Sequence, residues 1–335
     1  MGYGSWSDDD FKRKETVRKT SGKSAFDYSD NTIKSEPMDK WAVHPQLNPK
    51  GANRESRDSI THPESLAIAV IFDVTGSMQN VPRLLQKGLS RLMGLLLQGR
   101  WAEHPHILFG ANGDAFEDRV PLQIGQFESD IAMDADLGRF LLEGGGGGNG
   151  GESYDLAIYM ASRHFSIDCF EKRNEKGYLF IIGDEMPFPY VSAEKVQNII
   201  GDNIAENIAI KQIIQEARER YHIFMIRPTN TSWGLNSGVQ DKWVSLLGRE
   251  YVIKLEYPEA ISETIALIVG ITEGKTTLKD GIKEIKNIKE AILSNAAIES
   301  LAMSLGAVRS KIEKDKDDII VLKSKNRRGK KPGRI

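Results

Sequence analysis

At 335 residues, with 40% hydrophobic and 27% charged residues, the chain has room for one large domain or two small ones and the make-up of a globular protein. Its formal net charge of −2 excludes a global attraction to nucleic acid or to an anionic membrane, and its single cysteine, Cys169, excludes an intrachain disulfide. No stretch approaches the ~20 apolar residues of a spanning helix, and the amino terminus lacks a basic segment followed by an apolar run, so a cytoplasmic location without a secretory leader is expected.

Residues 1–60 are polar and poor in aliphatic side chains, which predicts an extended or partly disordered arm. Trp6, Phe11, Phe26, Tyr28 and Trp41 punctuate it. Aromatic residues are uncommon in free tails, so some of these are expected to dock in grooves of the body or of a partner.

From 61 to 273 apolar runs and helical periodicities alternate. The run 66–73 suits a strand buried on both faces, as in a parallel sheet. A helix follows from about Pro82, with Leu84, Leu85, Leu89, Leu92, Met93 and Leu96 on one face. A second strand is predicted at 107–111, running into Asn112-Gly113-Asp114, and a helix at 130–142. The strand 178–182 ends in Gly183-Asp184-Glu185. A helix at about 204–219, a strand at 221–226, a helix at 239–247, a strand at 251–255 and a helix at 258–271 complete the unit. This alternation predicts an α/β fold, a doubly wound and mostly parallel sheet with helices on both faces.

Beyond Gly274 the pattern changes. Leu278, Ile282, Ile285, Ile288 and Ile292 recur at three- and four-residue steps, predicting amphipathic helices within an extension at 274–318 that pack on the sheet or pair with another chain. Residues 319–335 read as a basic disordered tail, and nucleic-acid binding is not expected from it.

The chemistry concentrates where the first strand ends, in Asp73-Val74-Thr75-Gly76-Ser77. Open α/β sheets bind ligands beyond the carboxyl ends of their strands. One carboxylate and two hydroxyls make an all-oxygen set that suits Mg²⁺ better than Zn²⁺. Asp184, after the strand 178–182, is expected to face Asp73 across the crevice, where a divalent cation would relieve the repulsion of two close carboxylates. A run of five glycines, Gly144 to Gly148, leads through Asn149 to Glu152 and Ser153 at the start of a helix. It lacks the lysine of a phosphate-binding loop and does not follow the first strand, so neither nucleotide reading holds. Asp114 also points to the ligand end, and Thr229 to Trp233 are expected to rim it.

Asp73-x-Thr75-x-Ser77 resembles the metal-ion-dependent adhesion site (MIDAS) of von Willebrand factor type A (VWA) domains, whose first motif reads Asp-x-Ser/Thr-x-Ser. The glycine run looks like the Gly-Gly-Gly-Asp-x-Pro-Glu loop of intracellular bacterial and phage members, with Asn149 in the ligand position and Glu152 as the glutamate. The resemblance implies a Rossmann-like VWA domain binding Mg²⁺ or Mn²⁺ through Asp73, Thr75, Ser77, Asn149 and Asp184, with Asp114, Glu152 and Ser153 as further candidates. It implies a protein-binding adaptor rather than an enzyme, one that captures a partner carboxylate on the ion beside a MoxR-type AAA+ ATPase. The alternative is an assembly protein using the fold as a scaffold without metal. A metal-dependent phosphatase fits less well, because Thr75 stands where haloacid-dehalogenase-type enzymes need a second aspartate.

Overall fold

A Ser-Asp-Asp-Asp run opens the first helix, α1 (Asp8–Ser21), in a segment with almost no apolar periodicity. The Ser7 hydroxyl accepts the Asp10 N–H at 3.2 Å, three acids occupy the first turn, Arg18 and Lys19 the last, and Gly22 closes it at φ +67°. Capping and dipole compensation therefore do the work that an apolar stripe does elsewhere. The computed structural model describes residues 4–78, 80–146, 151–287 and 293–308; Asn149, Ile288, Ile292 and the basic tail lie outside them. A second helix, α2 (Asp27–Ser35), follows. Phe11, Phe26 and Leu47 are buried in the main core and Trp6 packs against it, so the arm is helical and docked where the sequence predicted an extended segment.

Six strands form the central sheet: β1 (Leu66–Asp73), β2 (Pro105–Asn112), β3 (Leu122–Ile124), β4 (Gly177–Ile182), β5 (Tyr221–Pro228) and β6 (Val252–Leu255). Their order is β6-β5-β4-β1-β2-β3, all parallel except β3, which runs antiparallel to β2. Strand order reverses between β1 and β4, the crevice where doubly wound sheets place ligands.

Alternate residues of β1 feed two cores. Ile68, Val70 and Phe72 face one with α3 (Val81–Lys87) and α4 (Leu89–Gln98). After α5 (Ala132–Leu137), the helices α6 (Tyr154–Arg163), α7 (Ile210–Arg220) and α8 (Ser237–Leu247) cover the other, which receives Ala67, Ala69 and Ile71. The first core is completed by α9 (Ile261–Thr272), α10 (Leu278–Asn287) and α11 (Asn295–Ser304). No described helix is long and apolar enough to cross a membrane.

Three departures from the sequence reading have physical causes. The helix expected from Pro82 breaks at Gly88, where a Cβ would lie 2.1 Å from Ser262 Oγ; the glycine lets α9 approach the break. The helix expected at 130–142 ends at Leu137, because Phe140 and Leu141 are drawn into the interior and the Gln123 amide both donates to the Leu141 carbonyl and accepts its N–H, each at 2.8 Å. The helix expected from about 204 starts at Ile210, since Ile208 and Ala209 pair with Val191 and Tyr190. Of the two roles open to the carboxyl-terminal extension, its described part takes the first: Ile285, Ile298, Leu301 and Leu305 are buried in the main core, and Ser304 Oγ donates to the Lys254 carbonyl of edge strand β6 at 2.7 Å.

Candidate functional site

The register of the sheet brings the acids together. Asp73 pairs with Asn112 across β1 and β2, and Phe72 with Ile182 across β1 and β4, so the turn carrying Asp184 leaves the sheet beside the turn carrying Thr75 and Ser77. Thr75 Oγ1 donates to Asp73 Oδ1 at 2.6 Å, and the Thr75 N–H reaches the same oxygen at 2.7 Å. Ser77 Oγ donates to Asp184 Oδ1 at 2.7 Å, and Thr75 Oγ1 and Ser77 Oγ stand 3.2 Å apart. Four of the five ligands expected from the sequence thus form one continuous chain of oxygens; the fifth, Asn149, falls outside the described residues.

Three side chains behind this chain hold it in place. The Tyr154 hydroxyl, at the first residue of α6, donates to Asp73 Oδ2 at 2.7 Å. Its ring packs edge-on against Trp243 at 5.5 Å, and the Trp243 indole N–H donates to the Glu185 carbonyl at 2.8 Å. The Trp233 backbone N–H reaches Asp184 Oδ2 at 2.9 Å, so the 229–233 loop does rim the site, with Trp233 39% exposed. Arg227, fully buried near the end of β5, donates to the Trp233 carbonyl at 3.0 Å and to Gln240 Oε1 at 2.7 Å. Tyr154 and Arg227 carry no sequence signal as site residues, because nothing local marks a tyrosine or a strand arginine as facing an acid 81 or 43 residues away.

The glycine-rich loop is sewn to the first motif. The Gly76 N–H donates to the Gly145 carbonyl at 2.8 Å, and the Gly144 N–H to the Val74 carbonyl at 3.0 Å. Gly76 must lack a side chain, since a Cβ would lie 2.9 Å from the Gly144 carbonyl oxygen. Gly144 and Gly146 sit at φ +68° and +104°, where glycine is favoured. A Cβ on Gly146 would meet Thr75 Cβ at 3.2 Å and Glu152 Oε1 at 3.4 Å, so Glu152 flanks Thr75. Asp114 and Ser153 hold the loop after β2: Asp114 Oδ1 accepts the Phe116 N–H and Ser153 Oγ the Ala115 N–H, both at 2.8 Å, and the Asp114 charge also acts on Glu152 and Glu185.

Charge is unbalanced here. Burial, with Asp184 nearby, raises the Asp73 carboxyl to about 7, although the Thr75 and Tyr154 hydrogen bonds oppose it. Burial pushes Glu152 up to about 11 and Glu185 to about 7, with Asp73 the largest charge acting on each. Glu152 Oε2 and both amide atoms of Asn112 are buried without a hydrogen-bond partner. Among the described residues no three His, Cys, Asp or Glu side chains stand together as a ready metal cage; the set here mixes two carboxylates with two hydroxyls.

No family model and no curated protein matches the chain. Among solved structures it is similar to the open conformation of pilus adhesin SpaC from Lactobacillus rhamnosus GG, at 9% identity and TM-score 0.42 over 73% of this chain and 33% of that one. It is also similar to proximal thread matrix protein 1 from the mussel byssus, at 13% identity and TM-score 0.38 over 67% of this chain and 47% of that one. The chain therefore spans about a third of the adhesin and under half of the matrix protein, and likenesses this distant carry no functional argument.

Proposed function

We propose that the carboxyl edge of the sheet is a Mg²⁺ or Mn²⁺ site through which this chain binds an acidic group of a protein partner, as a VWA-like adaptor. The observation that carries this is a proton count. Asp73, Thr75, Ser77 and Asp184 make three oxygen–oxygen contacts, of 2.6, 3.2 and 2.7 Å, but the two hydroxyls supply only two protons. When both donate to the carboxylates, the Thr75–Ser77 contact carries no proton, and the hydrogen-bond donors to the buried Asp73 and Asp184 among the described residues are all neutral, so a cation would offset the charge of the two acids. Hard oxygen donors of this kind favour Mg²⁺ or Mn²⁺.

Asp73, Thr75, Ser77 and Asp184 would hold the ion, with Asn149 as the remaining ligand expected from the sequence. A bound ion supplies a coordination position for a partner carboxylate. The protein's own groups do the rest. Tyr154 and the Thr75 N–H fix the Asp73 carboxylate, the Trp233 N–H fixes Asp184, and the half-buried Ser77 beside exposed Gly76 keeps the edge open to solvent. A MoxR-type ATPase, or the target it remodels, is the partner class that the resemblance implies. The scaffold reading draws on the same count, because a proton on Asp73 also completes the set.

Calorimetry with Mg²⁺ and Mn²⁺ separates the two. Saturable binding that Asp73→Asn removes supports the metal reading. No heat at millimolar ion, or equal binding by Asp73→Asn, leaves the scaffold.

A further inference from the structure

At the opposite, amino-terminal edge of the sheet three histidines meet. His104 and His106 bracket the first residue of β2, and His62 lies in the loop before β1. The His104 and His106 rings stand 5.4 and 5.2 Å from that of His62, each nearly perpendicular to it. We propose that His62, His104 and His106 form a second metal site, separate from the acid pair and suited to a borderline-soft divalent cation such as Zn²⁺.

The spacing of the nitrogens is the first argument. His62 Nδ1 and His104 Nδ1 are 3.3 Å apart. Two nitrogens each about 2.0–2.1 Å from one tetrahedral Zn²⁺ stand roughly 3.3 Å from each other. The second argument lies in the outer nitrogens. His62 Nε2 donates to the Gly4 carbonyl at 2.6 Å, so the neutral ring carries its lone pair on Nδ1, toward His104. Ser56 Oγ engages His106 Nδ1 at 3.1 Å, which leaves Nε2 as the nitrogen for a metal. That nitrogen is buried without a hydrogen-bond partner, on a residue only 1% exposed. Outer hydrogen bonds of this kind orient metal-binding imidazoles and fix their tautomers.

As the side chains stand, the three do not converge as a complete ligand set. On binding, the cation takes the place between the two Nδ1 atoms, the proton held there moves to His104 Nε2 so that both rings stay neutral, and the His106 ring shifts to join them with the rotatable Ser56 hydroxyl following its Nδ1. Imidazole ligands select Zn²⁺ and its neighbours over Mg²⁺, so the two ends of the sheet would take different ions. The site also reaches the amino-terminal segment. The Gly4 carbonyl accepts from Ser129 Oγ at 2.6 Å as well as from His62, so a metal that fixes His62 tightens the hold on that segment.

The test uses the full chain stripped with EDTA and titrated with Zn²⁺, and with Co²⁺ as a spectroscopic probe. Wild type and Asp73→Asn are both expected to give the visible absorption of tetrahedral, nitrogen-ligated Co²⁺ at one ion per chain. His104→Asn and His62→Gln, checked for folding by circular dichroism, are each expected to lose affinity about tenfold or more. Hydrogen exchange near Gly4 should slow on adding Zn²⁺. Wild type without that absorption, or binding that survives both histidine variants and disappears with Asp73→Asn, overturns the proposal.

Discussion

Replacing Asp73 by asparagine separates what the acid costs the fold from what it gives the site. Asp73 is 0% exposed, and its carboxyl moves from 3.8 to about 7 in the folded chain. Between those two values the folded state holds more protons than the unfolded one, so stability falls as pH rises through the window, and the full cost is present above pH 7. At about 1.4 kcal/mol for each pH unit, the displacement amounts to a ceiling of about 4 kcal/mol. An asparagine keeps the oxygen that accepts from the Thr75 N–H and hydroxyl, and its amide can donate to the Tyr154 oxygen. In EDTA, Asp73→Asn is therefore expected to be more stable than wild type by about 1–3 kcal/mol at pH 8, with the gain shrinking toward zero near pH 4. Urea denaturation at both pH values measures it. Saturating Mg²⁺ should reverse the order, because ligand at about a thousand times its Kd stabilises wild type by about 4.1 kcal/mol and leaves the variant unchanged. An asparagine variant destabilised equally at pH 4 and pH 8 would refute the idea that the buried charge of Asp73 works against the fold.

Three further outcomes follow from single residues. Gly88→Ala should cost about 1–3 kcal/mol in denaturant titrations, since its Cβ would sit 2.1 Å from Ser262 Oγ, and Ser262→Gly in the same chain should recover part of it. Burial, with Lys176 nearby, holds His222 down at about 4, so its neutral form contributes stability that is complete above about pH 6.5 and is lost as pH falls toward 4; His222→Phe should flatten that limb of the stability profile. Arg227→Met removes the donor to the Trp233 carbonyl, and faster hydrogen exchange across residues 229–236 with weaker Mg²⁺ binding is expected, whereas unchanged exchange would place the loop's support elsewhere.

The parallel sheet was readable because each of its long strands is a continuous apolar run that stops at a polar turn, and burial on both faces demands such runs. The ligand turns were readable for the same reason: Asp73 and Asp184 follow directly on those runs, so the topology alone makes them neighbours. What the sequence hid was structure made by contacts distant along the chain. In α1 only Phe11 is buried, and its other ties are polar, such as Ser90 Oγ to Asp8 at 2.8 Å and the Arg18–Asp134 ion pair, which leave no periodicity to find. The break at Gly88 depends on Ser262, and the end of α5 on Gln123. Tyr154 reads as an ordinary first residue of a helix until the sheet brings Asp73 beneath it.

The way the glycine loop is fastened bears on how such a chain tolerates change in length. One end is tied by the Gly76–Gly145 and Gly144–Val74 hydrogen bonds, and the other by the pairing of Gly151 and Glu152 with Met186 and Pro187. Both anchors are independent of how many residues separate Gly146 from Gly151. Closing a loop twice as long costs only about 0.6 kcal/mol more. Residues inserted there should leave Thr75, Ser77 and Asp184 where they are while shifting Asn149 along the chain, so a length change at this point separates what Asn149 gives the ion from what the two anchored turns give it.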